Sequence, residues 1–308
     1  MIWGTNRSQN YNFASAFHLD DKNPLSLTNS SFNLLFLGIA GNGSRGALLA
    51  DTIFVIHADS SRKKLVLVSI PRDFWVQDKS YPRGTKINGL LELENSTQKF
   101  NKDCSFNLVQ KKIEDILGLK MDYVAIFDLE GVEKLVDGIG GINIWLDKDI
   151  IDPNLVDPHY PSQIFHLKAG WNYLDGDLVA KFVRTRYAPS GDFYRIEHQH
   201  QILAALRDKV SQLANVWHFA TWFNIWQDLN NHYITNLDFE NAWKIFLLVK
   251  SIPSNQIQYL SLSNREPDNQ LTSAMLPGGE NDIYVLIPRA GIEKYEEIHK
   301  YIKEKINE

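Results

Sequence analysis

The sequence has little cysteine, no excess of positive charge and no long apolar run, and each shortage excludes a class of protein. Cys104 is the only cysteine in 308 residues, which excludes a disulfide framework and a cysteine-ligated metal centre. A formal net charge of −5 does not favour binding to duplex nucleic acid, which requires a basic surface. The first residues resemble neither a signal peptide nor the roughly 20 apolar residues of a membrane span. We therefore expect a soluble chain without a transmembrane segment.

Several catalytic motifs are also missing. The sequence has no H-E-x-x-H motif, which argues against a zinc protease, and no G-x-S-x-G motif, which argues against a serine hydrolase. Gly41–Gly46 matches G-x-G-x-x-G, but only Ala47–Asp51 separate it from the next predicted strand. A parallel crossover needs a dozen or more residues and a helix. We therefore interpret Gly41–Gly46 as a loop and not as a dinucleotide-binding turn.

The composition and the order of elements predict one α/β domain. Hydrophobic residues make up 44% and charged residues 22% of the chain, as in ordinary globular proteins. No internal repeat is visible, and strands and helices are mixed without an obvious linker. We predict a tail or linker over residues 1–31, a catalytic domain over 32–290 and a C-terminal helix over 291–308.

Hydrophobic periodicity and turn residues locate the elements. Strands are predicted over 33–38, 52–58, 65–70, 123–127, 142–146, 257–262 and 284–287. Helices are predicted over 106–117, 129–136, 178–182 and 192–213, with a further helical stretch to about residue 229. The segment Asp147–Pro161 is predicted to be a long loop.

Three arginines lie within a dozen residues of one another. Arg184 and Arg186 are two apart on a β-like run, which would place both side chains on one face of a strand. Gly191 and Asp192 resemble a helix start, so Arg195 would lie in the first turn, beside free N–H groups. Guanidinium groups at a helix N-terminus are typical of a phosphate site. The alternative is that each arginine pairs with a surface carboxylate.

Two further residues lie at predicted strand ends, where sites are commonly built. Arg72 follows the strand 65–70 in Ser69-Ile-Pro-Arg-Asp73. Asp51 lies where a loop enters the strand 52–58. Its carboxylate could cap a turn, or it could hold Mg²⁺ against phosphate oxygens.

An ordered series of motifs is similar to the LytR-CpsA-Psr family from about Phe32 to Leu213. The motifs are Leu34-Leu-Phe-Leu-Gly38, Ala50-Asp-Thr-Ile53, Ser69-Ile-Pro-Arg-Asp73, Thr85-Lys-Ile-Asn88, Leu135-Val-Asp-Gly-Ile-Gly-Gly141, Leu174-Asp-Gly176, Val183-Arg-Thr-Arg186 and Gly191-Asp-Phe-Tyr-Arg-Ile-Glu-His-Gln199. A single one of these motifs carries no information, but the whole series in this order is specific for the family.

The resemblance implies a three-layer α-β-α domain with a central mixed sheet. It also implies an extracytoplasmic, membrane-associated, Mg²⁺-dependent phosphotransferase that moves a glycan phosphate from a polyprenyl pyrophosphate to a peptidoglycan hydroxyl. Asp51 would hold Mg²⁺, and Asp192 would orient or deprotonate the acceptor hydroxyl, with Arg72 and Arg186 as further catalytic residues. The implied pyrophosphate-binding residues are Arg72, Lys86, Arg184, Arg186, Arg195 and Gln199.

Two positions depart from the family pattern and keep other functions open. Ala40 stands where many members have a second metal-binding aspartate, and His198 stands where an arginine often precedes the glutamine. The alternatives are a polyprenyl-pyrophosphate hydrolase and a non-catalytic lipid-pyrophosphate binder or envelope regulator. A DNA-binding attenuator is not favoured by the charge.

Overall fold

The computed structural model describes residues 31–95, 99–156, 164–185, 192–213, 219–265, 269–278 and 281–308. Its strands are β1 Ser31–Ile39, β2 Ala50–Asp59, β3 Lys64–Ser69, β4 Trp75–Asp78, β5 Tyr81–Lys86, β6 Tyr123–Asp128, β7 Ile142–Leu146, β8 Ile150–Val156, β9 Ile164–Leu167, β10 Gly170–Leu174, β11 Tyr233–Thr235, β12 Ile257–Ser261, β13 Leu271–Leu276 and β14 Ile283–Pro288. Its helices are α1 Leu90–Glu94, α2 Asn107–Leu117, α3 Leu129–Gly138, α4 Gly176–Phe182, α5 Asp192–Leu213, α6 Phe219–Asp228, α7 Phe239–Ser251 and α8 Glu296–Asn307.

The central sheet is mixed and has the strand order β11-β6-β1-β2-β3-β12. β1 pairs antiparallel with β2 and parallel with β6, so the C-terminal ends of β1 and β6 meet the start of β2. Ile39 lies between Ala50 on one side and Asp128 on the other. Residues that follow β1 or precede β2 are therefore gathered at one edge of the sheet.

Helices cover both faces of this sheet. Side chains alternate along a strand, so Leu35 and Leu37 of β1 pack in the core cluster that contains Ile298 of α8, whereas Leu34 packs in a second cluster with Leu248 of α7. α2 lies on the same side as α8. The predicted three-layer α-β-α domain with a central mixed sheet is therefore confirmed.

A third core cluster lies beside the central sheet and joins two small two-stranded sheets to three helices. One small sheet pairs β7 with β10 and the other pairs β8 with β9, both antiparallel. Their inward side chains, such as Ile144 and Phe165, pack with Val136 of α3, Phe182 of α4 and Ile202 of α5. This cluster fixes the arginine-bearing segments after α4 and at the start of α5.

Three local predictions differ from the structure. The predicted loop Asp147–Pro161 is wrong for residues 150–156, which form β8 because they pair with β9. The predicted β-like run at Arg184 is also wrong, because the amides of Val183 and Arg184 continue the helical hydrogen bonding of α4. The C-terminal helix begins at Glu296 rather than at Gly291.

The structure also bears on the expected lack of a membrane span. Within the described ranges, no helix combines the length and the apolar character needed to cross a bilayer.

Candidate functional site

A cleft of about 270 Å³ lies between the central sheet and the helices α3 and α5. Its floor is aromatic, because Phe36 of β1 stacks on Phe54 of β2 and on Phe127 of β6, with ring centroids 6.2 and 5.7 Å apart. The lining residues are Phe36, Gly38, Ile39, Ala40, Ser44, Asp51, Thr52, Phe54, Phe127, Asp128, Leu129, Val132, Leu135, Val183, Arg184, Arg195, Gln199, Ile202, Leu203 and Leu206. Most of the surface is apolar, and the polar residues lie towards one end of the sheet.

Asp51 brings two of the predicted arginines together at the polar end. Arg72 Nη1 donates to Asp51 Oδ1 over 2.6 Å, and Arg195 Nη1 lies 4.0 Å from the same oxygen. Arg195 Nη2 also donates to the backbone oxygen of Asp51 over 3.2 Å. Arg195 is only 2% exposed, so its guanidinium acts in an environment with little water. These two cations approach one carboxylate from β2 and form the centre of the site.

Gln199 extends this arrangement along α5. It lies one helical turn after Arg195, so both side chains project from the same face of the helix. Gln199 Nε2 donates to Thr52 Oγ1 over 2.7 Å. Thr52 in turn lies against Gly38, where an added Cβ would be 2.9 Å from the Thr52 Cβ. The glycine therefore allows α5, β2 and β1 to approach one another closely.

The other predicted site residues are placed differently. Arg184 lines the cleft and is exposed, with its Nε donating to Ala180 O over 2.9 Å. Lys86 pairs with Asp73 at 2.5 Å, which puts it beside Arg72; like Arg72, it lies outside the cleft lining itself. Arg186 and the side chain of Asp192 lie outside the described residues. Their predicted roles stay predictions.

The cleft wall contains a polar pair that sequence reasoning missed. Asp128, at the end of β6, caps α3 by accepting from Gly131 N over 2.7 Å. Its carboxylate also lies 3.1 Å from His232 Nδ1. Burial raises the pKa of Asp128 above its usual value, although the Gly131 amide and His232 oppose this shift. The capping role of Asp128 could have been predicted, because the sequence has an aspartate between an apolar strand and a helix. The contact with His232 could not, because the two residues are 104 positions apart.

Two neutral histidines fix α5 beside the site. Burial lowers the pKa of His198 and of His200 to about 4. His198 stacks on Phe182 with ring centroids 4.1 Å apart, and His200 Nε2 lies 2.6 Å from Ser69 Oγ of β3. These contacts flank Gln199 and therefore set where α5 meets the sheet.

The cleft has the chemistry of a site for an amphiphile with an anionic head. Its apolar length can remove a hydrocarbon chain from water, at about 25 cal/mol per Å². Arg195 and Arg184 at the cleft, with Arg72 on Asp51, present guanidinium donors suited to phosphate oxygens. Asp51 offsets one of these three positive charges, and a bound di-anion would offset the other two.

Two bacterial proteins resemble this chain over most of its length. The transferase TagV of Bacillus subtilis (strain 168), named polyisoprenyl-teichoic acid–peptidoglycan teichoic acid transferase, is 26% identical over 280 residues, which are 90% of this chain and 65% of TagV. The regulatory protein MsrR of Staphylococcus aureus (strain COL) is 27% identical over 186 residues, which are 60% of this chain and 50% of MsrR. The chain thus spans between half and two thirds of these relatives.

Solved structures show the same fold. The crystal structure of B. subtilis TagV superposes with a TM-score of 0.68 at 23% identity and covers 90% of this chain and 98% of that one. A structure of TagT bound to LIIa-WTA superposes with a TM-score of 0.65 at 20% identity, over 91% of this chain and 92% of that one. The model of the LytR_cpsA_psr family matches residues 4–286, nearly the whole sequence. The chain therefore belongs to the LytR-CpsA-Psr family.

Proposed function

We propose that this protein transfers a glycan phosphate from a polyprenyl pyrophosphate carrier to a hydroxyl of peptidoglycan. The observation that carries the proposal is the apolar cleft whose polar end places Arg195 and Arg72 on Asp51. The polyprenyl chain would occupy the aromatic floor, and the pyrophosphate would lie at the arginines. The relative TagV, a polyisoprenyl-teichoic acid–peptidoglycan teichoic acid transferase, supports this reaction class.

The reaction exchanges one bond to phosphorus for another. The acceptor hydroxyl oxygen attacks the phosphorus that carries the glycan, and the bond from that phosphorus to the bridging oxygen breaks. Polyprenyl phosphate leaves, and the glycan is joined to the acceptor by a phosphodiester. The hydroxyl proton passes to a base, a role proposed for Asp192, three residues before Arg195 at the start of α5.

The arginines would supply most of the catalysis by positioning and by charge neutralisation. Arg195 is held by two contacts to Asp51, so its donors are oriented before the substrate arrives. Arg72, Arg184 and Gln199 are proposed to bind the remaining phosphate oxygens, with Arg186 and Lys86 as further cations. Each charge-assisted contact is worth about 1.5–3 kcal/mol.

The donor set fits Mg²⁺ only together with the substrate. Asp51 is the carboxylate that both Arg72 and Arg195 approach, and Ala40, which also lines the cleft, offers none. In the part of the chain that the structure describes, no group of three or more acidic, histidine or cysteine side chains could hold a metal. Since Mg²⁺ commonly uses one or two carboxylates plus phosphates and water, Asp51 is proposed to hold it when pyrophosphate oxygens complete the shell. The bound ion would neutralise phosphate charge.

A non-catalytic carrier-binding regulator is the second candidate. Ala40 removes one carboxylate from the site, and MsrR is named a regulatory protein. Such a protein would use the same cleft and arginines but would leave the pyrophosphate bond intact.

Product analysis separates these functions. Purified protein is incubated with a labelled glycan on a polyprenyl pyrophosphate, with and without purified peptidoglycan. A transferase places the label on peptidoglycan through a phosphodiester and releases polyprenyl phosphate. Release of labelled glycan phosphate to water, whether or not acceptor is present, would identify a hydrolase. Tight carrier binding without any product would identify the regulator.

A further inference from the structure

The two-stranded sheet of β7 and β10 carries three large aromatic side chains on its outward face. Trp145, Trp171 and Tyr173 are 53%, 73% and 59% exposed, and Trp171 is the most exposed large hydrophobic side chain among the described residues. Trp145 lies directly opposite Trp171 in the register, with the rings in an edge-to-face arrangement at 5.7 Å. We call these three side chains the aromatic face. Exposing three large aromatic side chains to water is energetically unfavourable, and such exposed patches commonly mark an interaction site.

The rings of the aromatic face are held in position. Trp145 Nε1 donates to Asp147 Oδ1 over 2.9 Å, which fixes the edge of that indole. Tyr173 lies against the turn after α3, where a Cβ added to Gly141 would be 2.4 Å from its ring. Gly141 has a φ of +70°, a conformation that favours glycine. Rigid aromatic groups offer a large contact area at a small cost in conformational entropy.

The residues that follow β7 connect the Trp145 end of the aromatic face with the arginine-bearing segments. Lys148, two residues after β7, has its Nζ 5.8 Å from the ring centroid of Tyr194, the residue before Arg195. Asp152 of β8 accepts from the hydroxyl of Thr185, the residue after Arg184, over 2.6 Å. The segment that follows β7 at Leu146 therefore lies against both arginine-bearing segments. A polymer that continues from the aromatic face past Lys148 would reach these segments.

The surroundings of the aromatic face favour a sugar over a membrane. Asp147, Asp149, Lys148 and Lys168 are all exposed, and these two negative and two positive charges sum to zero. They provide no attraction to an anionic bilayer, and the carboxylate bonded to Trp145 would be drawn into the lipid interface with the ring. A pyranose has an apolar C–H face and a rim of hydroxyl groups, which complement an aromatic ring with polar groups at its edge.

We propose that the aromatic face binds the glycan strand of the peptidoglycan acceptor. The inference rests on the proposed function, which brings such a strand to the arginines. Trp171 and Tyr173 are two residues apart on β10, about 6.6 Å along the strand, so together they span more than one sugar ring. The acceptor is a polymer that extends beyond the reacting hydroxyl, and an extended row of rings can hold it in place. The donor glycan is already held through its lipid and pyrophosphate.

The test is calorimetric titration of the full chain with soluble glycan strands released from purified peptidoglycan. We expect Trp171→Ala and Trp145→Ala each to weaken glycan binding on the order of tenfold, as for an aromatic anchor. Binding of a short-chain polyprenyl pyrophosphate should not change. Tyr284→Ala is the matched control, since Tyr284 is an aromatic residue of 45% exposure on the β13–β14 hairpin. It should leave glycan binding intact. Melting temperatures verify that all three variants fold.

Other outcomes overturn the inference in distinguishable ways. If wild-type protein binds the carrier but not the glycan strands, or if both tryptophan variants bind strands normally, the aromatic face is not the acceptor site and the proposed function stands. If the tryptophan variants instead lose binding to phosphatidylglycerol–phosphatidylethanolamine vesicles alone, the face is a membrane contact. If they lose affinity only for a glycan-bearing carrier, it contacts the donor. Failure of wild-type protein to bind any polyprenyl pyrophosphate would contradict the proposed function itself.

Discussion

Replacing Arg72 by alanine should weaken carrier binding far more than it weakens the fold. The Arg72–Asp51 pair joins side chains that are 21% and 41% exposed, so its contribution to stability should be that of a surface ion pair, about 0–1 kcal/mol. A charge-assisted contact from Arg72 to a phosphate oxygen is worth about 1.5–3 kcal/mol. The dissociation constant of a short-chain polyprenyl pyrophosphate should therefore rise about 10- to 150-fold.

Arg207 provides the matched control for this prediction. Its side chain is 18% exposed, close to the value for Arg72, and it lies on α5 outside the cleft lining. Arg207 donates to Ile252 O over 2.8 Å and to Ser254 Oγ over 3.0 Å, so Arg207→Ala should lower stability without changing carrier binding. Calorimetric titration gives the affinities and denaturant unfolding gives the stabilities. Equal carrier affinity in Arg72→Ala and wild type, with both folded, would refute the phosphate-binding role.

Three further predictions concern the metal, the pH dependence of stability and Glu293, which precedes the C-terminal helix. Mg²⁺ should bind weakly to the free protein and should tighten carrier binding by the same factor by which the carrier tightens Mg²⁺ binding. In calorimetric titrations, Asp51→Asn should abolish this coupling. A wild-type carrier affinity that is the same with Mg²⁺ and with a chelator would contradict the ternary site. Burial holds the pKa of His198 at about 4 against 6.5 in the unfolded chain, so its contribution to stability is complete above pH 6.5, and about 3 kcal/mol is lost as the pH falls from 6.5 to below 4. His198→Phe should therefore flatten the acid limb of unfolding free energy against pH, and an unchanged limb would show that His198 does not titrate as described. Glu293 accepts from the buried Lys112 over 2.7 Å and from Gln77 N over 2.8 Å, so Glu293→Ala should lower the unfolding free energy by about 1–3 kcal/mol in urea titrations while carrier binding stays normal.

Local patterns predicted the parts of the fold that depend on local physics. The alternation in β1 and the hairpin of β2 and β3 follow from side-chain period and from a polar turn at Asp59–Lys64. Gly118 ends α2 with a φ of +67°, as expected for a glycine after an apolar helical run. These features need no information from distant residues.

The errors arose where a long-range contact overrides the local signal. Asp152, Pro153 and Asn154 resemble a turn, yet they lie in β8, where Asp152 is buried and bonded to Thr185, 33 residues away. The alternation at Val183–Arg186 resembles a strand, but the backbone of α4 continues through Arg184. The spacing of residues in the sequence predicts neither the contact of Asp152 with Thr185 nor the continuation of α4.

The candidate site was predicted only in part, because its contacts also join residues that are far apart in the sequence. Asp51 and Arg195 are 144 residues apart, so their contact could be expected only from the family resemblance. The aromatic floor was not predicted, because it exists only once Phe36, Phe54 and Phe127 are brought together by the order of three strands. The aromatic face also depends on register, which places Trp145 opposite Trp171.

The most direct test of the central claim is a crystal structure of the protein with a polyprenyl pyrophosphate and Mg²⁺. The account predicts the hydrocarbon chain over Phe36 and the phosphate oxygens within hydrogen-bonding distance of Arg195 and Arg72, with Mg²⁺ between a phosphate oxygen and Asp51. Phosphates bound away from both arginines, or a lipid chain outside the cleft, would contradict it.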